Sequence, residues 1–290
     1  MLPTAARKFA LAIILLILSV AVPAAGQSPR VRIETIQFRS ERVGQTLPYS
    51  VILPVDYDSS TSRYPTLYLL HGLTGHYTDW LTRTNLADYA SAYRLIIITP
   101  EGHDGWYTDS ATAPAEAYET YIVKELVPDV DARFRTINDR RMRAIAGLSM
   151  GGYGALKFGI KYPDLFVFAA SMSGALDAAA RSEKNPGYAW DFLRPSIMRT
   201  FGAAGTATRE ANDLHRLARE IDASRISSLP FFYLDCGTED GFLATNIELA
   251  RILLEKKIPH EFRQLPGGHN WAYWDEQVRQ VLAVFARRLK

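Results

Sequence analysis

One serine of this chain lies in a pattern that is typical of nucleophilic catalysis. Ser149 is the centre of Gly147-Leu148-Ser149-Met150-Gly151, which follows an apolar run and precedes a helix-like segment. Where a strand turns directly into a helix the two backbones come close together, so glycine is needed on either side of the turn. The hydroxyl would then lie at a helix N-terminus, whose exposed N–H groups favour a developing negative charge. The motif predicts a nucleophile elbow, and the alternative is a glycine-rich turn with a bystander serine.

A serine nucleophile needs a general base, and the base needs a carboxylate that orients it. Of the six histidines, only His269 follows the last predicted strand and precedes the final predicted helix, so we expect it to be the base. The acid is expected after the preceding strand, where Glu239 and Asp240 are adjacent. Asp240 is the predicted acid, and Glu239 remains the alternative.

An acyl-transfer site also needs two backbone N–H groups directed at the oxyanion of the tetrahedral intermediate. One is expected from Met150, which follows the predicted nucleophile. The other is expected from Leu73, in the loop 71–75 that follows an earlier buried strand. His71 begins this loop, and we interpret it as a structural residue that holds the loop through a side-chain hydrogen bond.

Three aromatic residues also follow predicted strands. Trp80, Trp106 and Tyr107 are candidates to line an acyl or alcohol pocket, and the equal alternative is aromatic packing over the sheet edge. No group of His, Asp and Glu residues has the sequence spacing of metal ligands. We therefore expect neither a metal nor another cofactor.

The elements that must position these residues follow from hydrophobic patterning. Apolar runs without alternation are typical of strands buried on both faces, whereas alternation indicates a strand with one wet face. The buried runs are 66–70, 95–99, 144–148, 167–172 and 231–236, with a last strand at 260–265. The runs 31–38 and 47–53 near the N-terminus predict antiparallel edge strands.

Helical patterns alternate with these strands. They cover 80–92, 116–127, 153–161, 242–257 and 272–289, with Pro128 breaking or restarting the second helix. Strands that alternate with helices predict an α/β fold with a mostly parallel central sheet and helices on both faces. Ligands of such sheets bind beyond the carboxyl ends of the strands, which is where the candidate residues lie.

The N-terminus has the pattern of a secretory signal peptide. Arg7 and Lys8 precede an apolar run that is shorter than a bilayer span, and small residues follow it. We expect cleavage before Gln27, with an uncleaved anchor as the alternative. This divides the chain into a signal peptide at 1–26 and a single α/β domain at 27–290, which carries a helical insertion at about 174–226. The expected location is secreted or periplasmic.

Charge and cysteine content exclude several classes of partner. Without the two basic residues of the signal peptide, 31 Lys and Arg oppose 31 Asp and Glu, so the mature chain is neutral. No basic tract indicates binding to nucleic acid or, beyond targeting, to a membrane. The one cysteine, Cys236, lies in an apolar run and is interpreted as a buried small hydrophobe. The oligomeric state stays open.

Several motifs together resemble the "Putative esterase" family of α/β-hydrolases, which includes esterase D, tributyrin esterases, feruloyl esterases and mycolyltransferases. The similarity runs from about residue 33 to the C-terminus and is strongest to the tributyrin-esterase type. The motifs that carry it are Leu69-Leu70-His71-Gly72-Leu73-Thr74-Gly75, Gly105-Trp106-Tyr107-Thr108-Asp109, Glu125-Leu126-Val127-Pro128-Asp129-Val130-Asp131, Ala146-Gly147-Leu148-Ser149-Met150-Gly151-Gly152-Tyr153-Gly154 and Ser173-Gly174-Ala175.

The resemblance implies the α/β-hydrolase fold and matches the family's functional residues one by one. Ser149 matches the nucleophile, Asp240 the acid and His269 the base, while Leu73 and Met150 match the oxyanion donors. S-formylglutathione hydrolases tend to carry a cysteine after the oxyanion loop and are typically cytosolic, and this chain departs from both features.

The expected function is a serine carboxylesterase that hydrolyses short-chain acyl or aryl esters through an acyl-enzyme. Its expected substrate is a small-molecule or carbohydrate ester, with acylated sugars among the candidates. The alternatives are an acyltransferase to a sugar acceptor on the same fold, or a thioesterase of the S-formylglutathione hydrolase type. A non-catalytic binding protein is the least favoured alternative, because every part of the catalytic pattern is present.

Overall fold

An eight-stranded sheet forms the centre of the protein in the computed structural model, which describes residues 30–289. Its strands are β1 (Arg32–Arg39), β2 (Thr46–Leu53), β3 (Thr66–Leu70), β4 (Ile96–Pro100), β5 (Arg143–Leu148), β6 (Phe168–Met172), β7 (Phe231–Gly237) and β8 (His260–Leu265). The order across the sheet is β1-β2-β4-β3-β5-β6-β7-β8. β2 is antiparallel to β1 and to β4, and all the other pairs are parallel. The predicted signal peptide lies outside the described residues.

Ten α-helices of residues 30–289 surround this sheet. They are α1 (Asp79–Thr82), α2 (Leu86–Ala90), α3 (Tyr118–Thr120), α4 (Val127–Arg133), α5 (Met150–Lys161), α6 (Trp190–Phe201), α7 (Ala207–Asn212), α8 (Leu214–Glu220), α9 (Leu243–Glu255) and α10 (Trp271–Arg288). A π-helical segment, Tyr121–Leu126, joins α3 to α4, and 3₁₀ turns occupy Arg140–Met142, Ala178–Ala180 and Ala223–Ser228. In the part of the chain that the structure describes, no helix is long and apolar enough to cross a bilayer.

Two apolar clusters cover the two faces of the sheet. One contains side chains of α1, α2 and α10, and the other contains side chains of α3, α4, α5, α6, α8 and α9. The strands β3, β4 and β5 between these clusters are buried on both faces. The unbroken apolar runs in their sequences predict this burial. The predicted α/β-hydrolase fold, with a mostly parallel sheet between two layers of helices, is therefore confirmed.

Three elements differ from the sequence-based expectation. β2 is an interior strand, because β4 pairs with it, so β1 alone forms that edge of the sheet and β8 forms the opposite edge. The single helix predicted at 80–92 is two short helices, since Asp275 of α10 binds both the backbone N–H and the side chain of Asn85 at the break. Pro128 neither breaks nor restarts the predicted helix, because α3, the π-helical segment and α4 follow one another without a gap, and Pro128 lies in the first turn of α4.

A buried ion pair connects α5 to the segment around α3. The ammonium of Lys157 is fully buried and donates to Glu119 Oε2 at 2.8 Å, to the carbonyl of Tyr107 at 2.7 Å and to Thr108 Oγ1 at 2.6 Å. Burial alone would raise the pKa of Glu119, but Lys157 and Lys161 lower it to about 2. Burial lowers the pKa of Lys157 to about 8. The pair therefore stays ionised at neutral pH and is fully hydrogen-bonded.

Glu119→Gln should lower the free energy of unfolding by about 3 kcal/mol, because it leaves the charge of Lys157 buried without its counter-ion. Urea unfolding at pH 7 measures this. As a control, Glu220→Gln removes an exposed partner of Arg216 and should cost about 1 kcal/mol or less. Since the folded-state pKa of Glu119 lies below its ordinary 4.5, the stability it contributes is present above that pH and is lost as the pH falls towards 2. The difference in the free energy of unfolding between wild type and Glu119→Gln should therefore shrink over the same pH range. A difference that stays constant with pH would contradict this account.

Candidate active site

Ser149 lies at a sharp turn between β5 and α5. Its φ of 52° and ψ of −114° place a non-glycine residue in a strained conformation that costs about 1–3 kcal/mol. A Cβ on Gly147 would lie 2.4 Å from the backbone of Gly151, and one on Gly151 would lie 2.6 Å from the carbonyl oxygens of Leu70 and His71. The two glycines thus allow the close backbone approach that the strand–turn–helix motif predicts.

Three side chains from separate loops form a continuous hydrogen-bonded chain. His269 Nε2 lies 3.0 Å from Ser149 Oγ, and His269 Nδ1 lies 2.9 Å from Asp240 Oδ2. An ionised carboxylate only accepts hydrogen bonds, so Nδ1 carries the proton and Nε2 offers its lone pair to the serine hydroxyl. The residues that the sequence singled out as nucleophile, base and acid are thus brought together in the geometry of a catalytic triad.

Of the two candidate carboxylates, Asp240 is the one that contacts His269. Its side chain is fully buried, and its Oδ1 accepts the backbone N–H of Phe242 at 2.9 Å. Burial raises its pKa, but the hydrogen bond and charge of His269 outweigh burial, so the net pKa lies below its ordinary value. Glu239, the alternative acid, has an exposed side chain and makes no hydrogen bond to His269 among the described residues.

Aromatic rings fix the imidazole from two sides. The ring of Phe242 lies 4.9 Å from that of His269, and the ring of Trp274 lies 4.9 Å away at a right angle. Trp274 belongs to the first turns of α10, which begins directly after the loop of His269. This packing restricts rotation of the imidazole, so its two nitrogens stay directed at Ser149 and Asp240.

The loop after β3 carries the first predicted oxyanion donor. Leu73 borders the same cleft as Ser149, and Met150 begins α5. Among residues 30–289, neither the N–H of Leu73 nor that of Met150 donates a hydrogen bond. The loop is held by Thr74, which has a φ of 61° and whose N–H donates to Asp104 Oδ1 at 2.7 Å. Both candidate amides are thus available to a ligand.

His71 has the structural environment expected of it. It is completely buried, and its Nδ1 lies 2.8 Å from the carbonyl oxygen of Gly72. Its Nε2 accepts the N–H of Gly102 at 2.9 Å, so Nδ1 is the donor. His71 therefore connects the loop after β3 to the loop after β4.

A cleft of about 510 Å³ opens above Ser149 and His269. This volume is in the range of small-molecule sites. One wall consists of Leu73, Trp271 and Trp274. The other wall comes from the segment after β6 and from the loop that carries Asp240, and its apolar side chains are Tyr188, Ala189, Phe192, Leu193 and Phe242. Arg83 and Asp79 supply polar atoms at the edge of the cleft.

The three aromatic residues proposed for the pocket do not border this cleft. Trp80, Trp106 and Tyr107 are all completely buried. The indole N–H of Trp80 donates to the carbonyl oxygen of Leu70, and the hydroxyl of Tyr107 donates to the carbonyl oxygen of His71. Trp80 and Tyr107 therefore hold the loop after β3 from the core side. The alternative, aromatic packing, describes them correctly. Each ring follows a strand but faces the core, because its polar atom has a buried acceptor there.

Sequence patterns did not identify the residues that form the cleft wall. Trp271 and Trp274 could have been proposed from their position, since they follow His269 within five residues. Tyr188 and Phe192 carried no signal, because the region around them has no strand pattern and few apolar residues. They are among the most exposed large apolar side chains of the described chain, at 49% and 61%.

A cluster of polar side chains lies behind the loop after β3. Glu101, at the end of β4, is buried, with His76 Nδ1 at 3.2 Å from its Oε2 and His103 Nδ1 at 3.4 Å from its Oε1. Burial would raise the pKa of Glu101, but its polar neighbours, the imidazole of His71 and the backbone N–H of His103 among them, lower it to about 2. No spacing in the sequence indicated this cluster, since its members come from two separate loops.

Known proteins share both the sequence and the fold. The profile of the "Putative esterase" family matches residues 40–285. The chain is 28% identical over 255 residues to an acetyl esterase of Caldicellulosiruptor saccharolyticus, covering 84% of this chain and 94% of that protein. It is 32% identical over 252 residues to an esterase of Mycobacterium tuberculosis, covering 80% of this chain and 54% of the longer relative.

Among solved structures, a ferulic acid esterase superposes with a TM-score of 0.77 at 28% identity, over 91% of this chain and 100% of the other. The chain belongs to the "Putative esterase" family of α/β-hydrolases and is a carboxylic ester hydrolase.

Proposed function

We propose that this protein is a serine carboxylesterase that hydrolyses short-chain acyl and aryl esters through an acyl-enzyme. The observation that carries the proposal is the hydrogen-bonded chain from Ser149 through His269 to Asp240 at the floor of an open cleft. The names of the relatives, an acetyl esterase and a ferulic acid esterase, support ester substrates with a small or an aromatic acyl group.

Ser149 Oγ attacks the ester carbonyl while its proton passes to His269 Nε2, with which it already shares a 3.0 Å hydrogen bond. Asp240 holds the imidazole in the tautomer that leaves Nε2 free, and it stabilises the imidazolium that forms. The N–H groups of Leu73 and Met150 bind the oxyanion, each worth about 3–4 kcal/mol in comparable sites. His269 then protonates the leaving alkoxide, and water, activated by the same imidazole, releases the acid from Ser149.

The lining of the cleft favours binding of an apolar acyl group over a charged one. Most of its lining side chains are aromatic or aliphatic, and the charged groups in it, Asp79 and Arg83, are paired with each other at 3.5 Å. An aryl acyl chain would cover Phe192, which is otherwise largely exposed. Each tenfold gain in kcat/KM needs about 1.4 kcal/mol, which a few tens of Å² of buried apolar surface supply.

A panel of fluorogenic esters that varies the acyl group from acetyl to butyryl and cinnamoyl tests this proposal. Wild type should hydrolyse the whole panel, and Phe192→Ala should lower kcat/KM for the cinnamoyl ester by roughly 10-fold while leaving the acetyl ester within about twofold. Leu254→Ala is the matched control, because Leu254 is 70% exposed on α9 and does not border the cleft.

The panel also identifies the competing function. If the protein transfers acyl groups to sugars, added sugar acceptor will divert most of the acyl group from water to the sugar, as product analysis would show. An equal loss on all esters in Phe192→Ala would contradict the assignment of this residue to the acyl wall. Absence of turnover across the panel would contradict the esterase proposal itself.

A further inference from the structure

A second cluster outside the catalytic chain has the composition of a metal site. His76, Glu101 and His103 each offer one donor atom, and these atoms all lie within 4.8 Å of one another. The carboxylate is buried, whereas the imidazoles of His76 and His103 are 62% and 42% exposed. The two imidazoles therefore face solvent, from which an ion can enter.

The donor set selects a class of ion. Two imidazole nitrogens and one carboxylate oxygen suit first-row divalent transition metals such as Zn²⁺, whereas Mg²⁺ and Ca²⁺ prefer oxygen ligands alone. Zinc–ligand bonds of about 2.0–2.1 Å place neighbouring donors of a tetrahedral site about 3.3 Å apart. The separation of His76 Nδ1 from Glu101 Oε2, 3.2 Å, is close to that value, whereas His103 Nδ1 lies 3.4 Å from the other carboxylate oxygen, Oε1.

We propose that His76, Glu101 and His103 form a binding site for a divalent transition metal such as Zn²⁺, with solvent completing its coordination. This site is independent of the catalytic chain and of the proposed esterase function. Its ligands come from the loop after β3 and the loop after β4, so a bound ion would tie these two loops together.

The surroundings hold the carboxylate in place for such a role. Its Oε1 accepts the backbone N–H of His103 at 2.8 Å and that of Gly102 at 3.1 Å. Its Oε2 has only the long contact to the N–H of Tyr77, at 3.4 Å, besides His76. Oε2 thus keeps a lone pair for a metal, while Oε1 is fixed by the backbone. Hydrogen bonds of this kind orient metal ligands in known sites.

Calorimetric titration of the EDTA-treated protein with Zn²⁺ tests the proposal. Wild type should bind one equivalent through the cluster, and His76→Gln and His103→Gln should each weaken that binding by at least about 100-fold. Thermal unfolding gives a second readout. Zn²⁺ at about 100 times its Kd should raise the Tm of wild type by roughly 5–10 °C and should leave both variants unshifted.

Control variants distinguish zinc binding at this cluster from zinc binding at other histidines. His260→Gln removes a histidine of β8 that is outside the cluster and should bind Zn²⁺ as wild type does. Circular dichroism and metal-free unfolding of each variant show whether it is folded. If wild type binds no zinc, or if the double variant of His76 and His103 retains wild-type affinity, the proposal is wrong.

Discussion

Replacing Ser149 with alanine should lower kcat for p-nitrophenyl acetate by about 10⁶-fold, because His269 and Asp240 act only through the serine hydroxyl. A fluorophosphonate probe should label wild type on the peptide that carries Ser149 and should leave the variant unlabelled. The free energy of unfolding should change by less than about 1 kcal/mol, since alanine keeps the backbone of the turn and loses only one hydroxyl, at the border of the cleft.

Ser59→Ala is the matched control for this substitution. Ser59 is exposed in the loop between β2 and β3, far from the catalytic chain in sequence, and its variant should keep wild-type turnover and labelling. Residual turnover in Ser149→Ala above that of free solution would come from the oxyanion donors and binding alone. Turnover within tenfold of wild type would exclude Ser149 as the nucleophile.

Asp240→Asn should lower kcat by about 10³–10⁴-fold while Glu239→Gln stays within about twofold. An amide at position 240 presents an N–H to His269 Nδ1 and favours the tautomer that is protonated on Nε2. That nitrogen then has no lone pair for the proton of Ser149. Steady-state kinetics of the two variants with one substrate measure the difference, and thermal unfolding confirms that both are folded.

The same pair of variants decides between the two carboxylates that the sequence left open. The side chain of Asp240 is buried at 2.9 Å from His269 Nδ1, whereas that of Glu239 is exposed. If Glu239→Gln lost activity and Asp240→Asn kept it, the positions of the side chains in the structure would not be those of the working enzyme.

The strands and the catalytic chain were predictable because their signals are local. Strands β3 to β7 are unbroken apolar runs, and Ser149, Asp240 and His269 each follow a strand in a fixed order. Parallel strands bring their carboxyl ends to one edge of the sheet, so residues far apart in sequence meet there. Order along the chain was thus sufficient to select them.

The remaining features depend on contacts between distant segments, which hydrophobic periodicity does not report. β4 lies between β2 and β3, so β2 is an interior strand although it follows the edge strand in sequence. By position Trp106 was equally open to a pocket and a packing interpretation, and the contacts decide for packing: Ser196 of α6 accepts its indole N–H, and Tyr153 packs on its ring in the core. The cleft wall around Phe192 lies in a segment with no regular pattern.

The indole of Trp106 has a consequence for how this enzyme could diversify. It connects the sheet to α6 through its 3.0 Å hydrogen bond to Ser196 and its packing on Phe201. The helix so anchored carries Phe192 and Leu193 to the cleft, whereas the three catalytic side chains come from loops at the sheet edge. On the proposed function, chemistry and selectivity therefore reside in separate parts of the chain, which are joined through the side chain of Trp106. Mutations on the outer half of α6 are free to reshape the substrate range while the reacting atoms keep their positions.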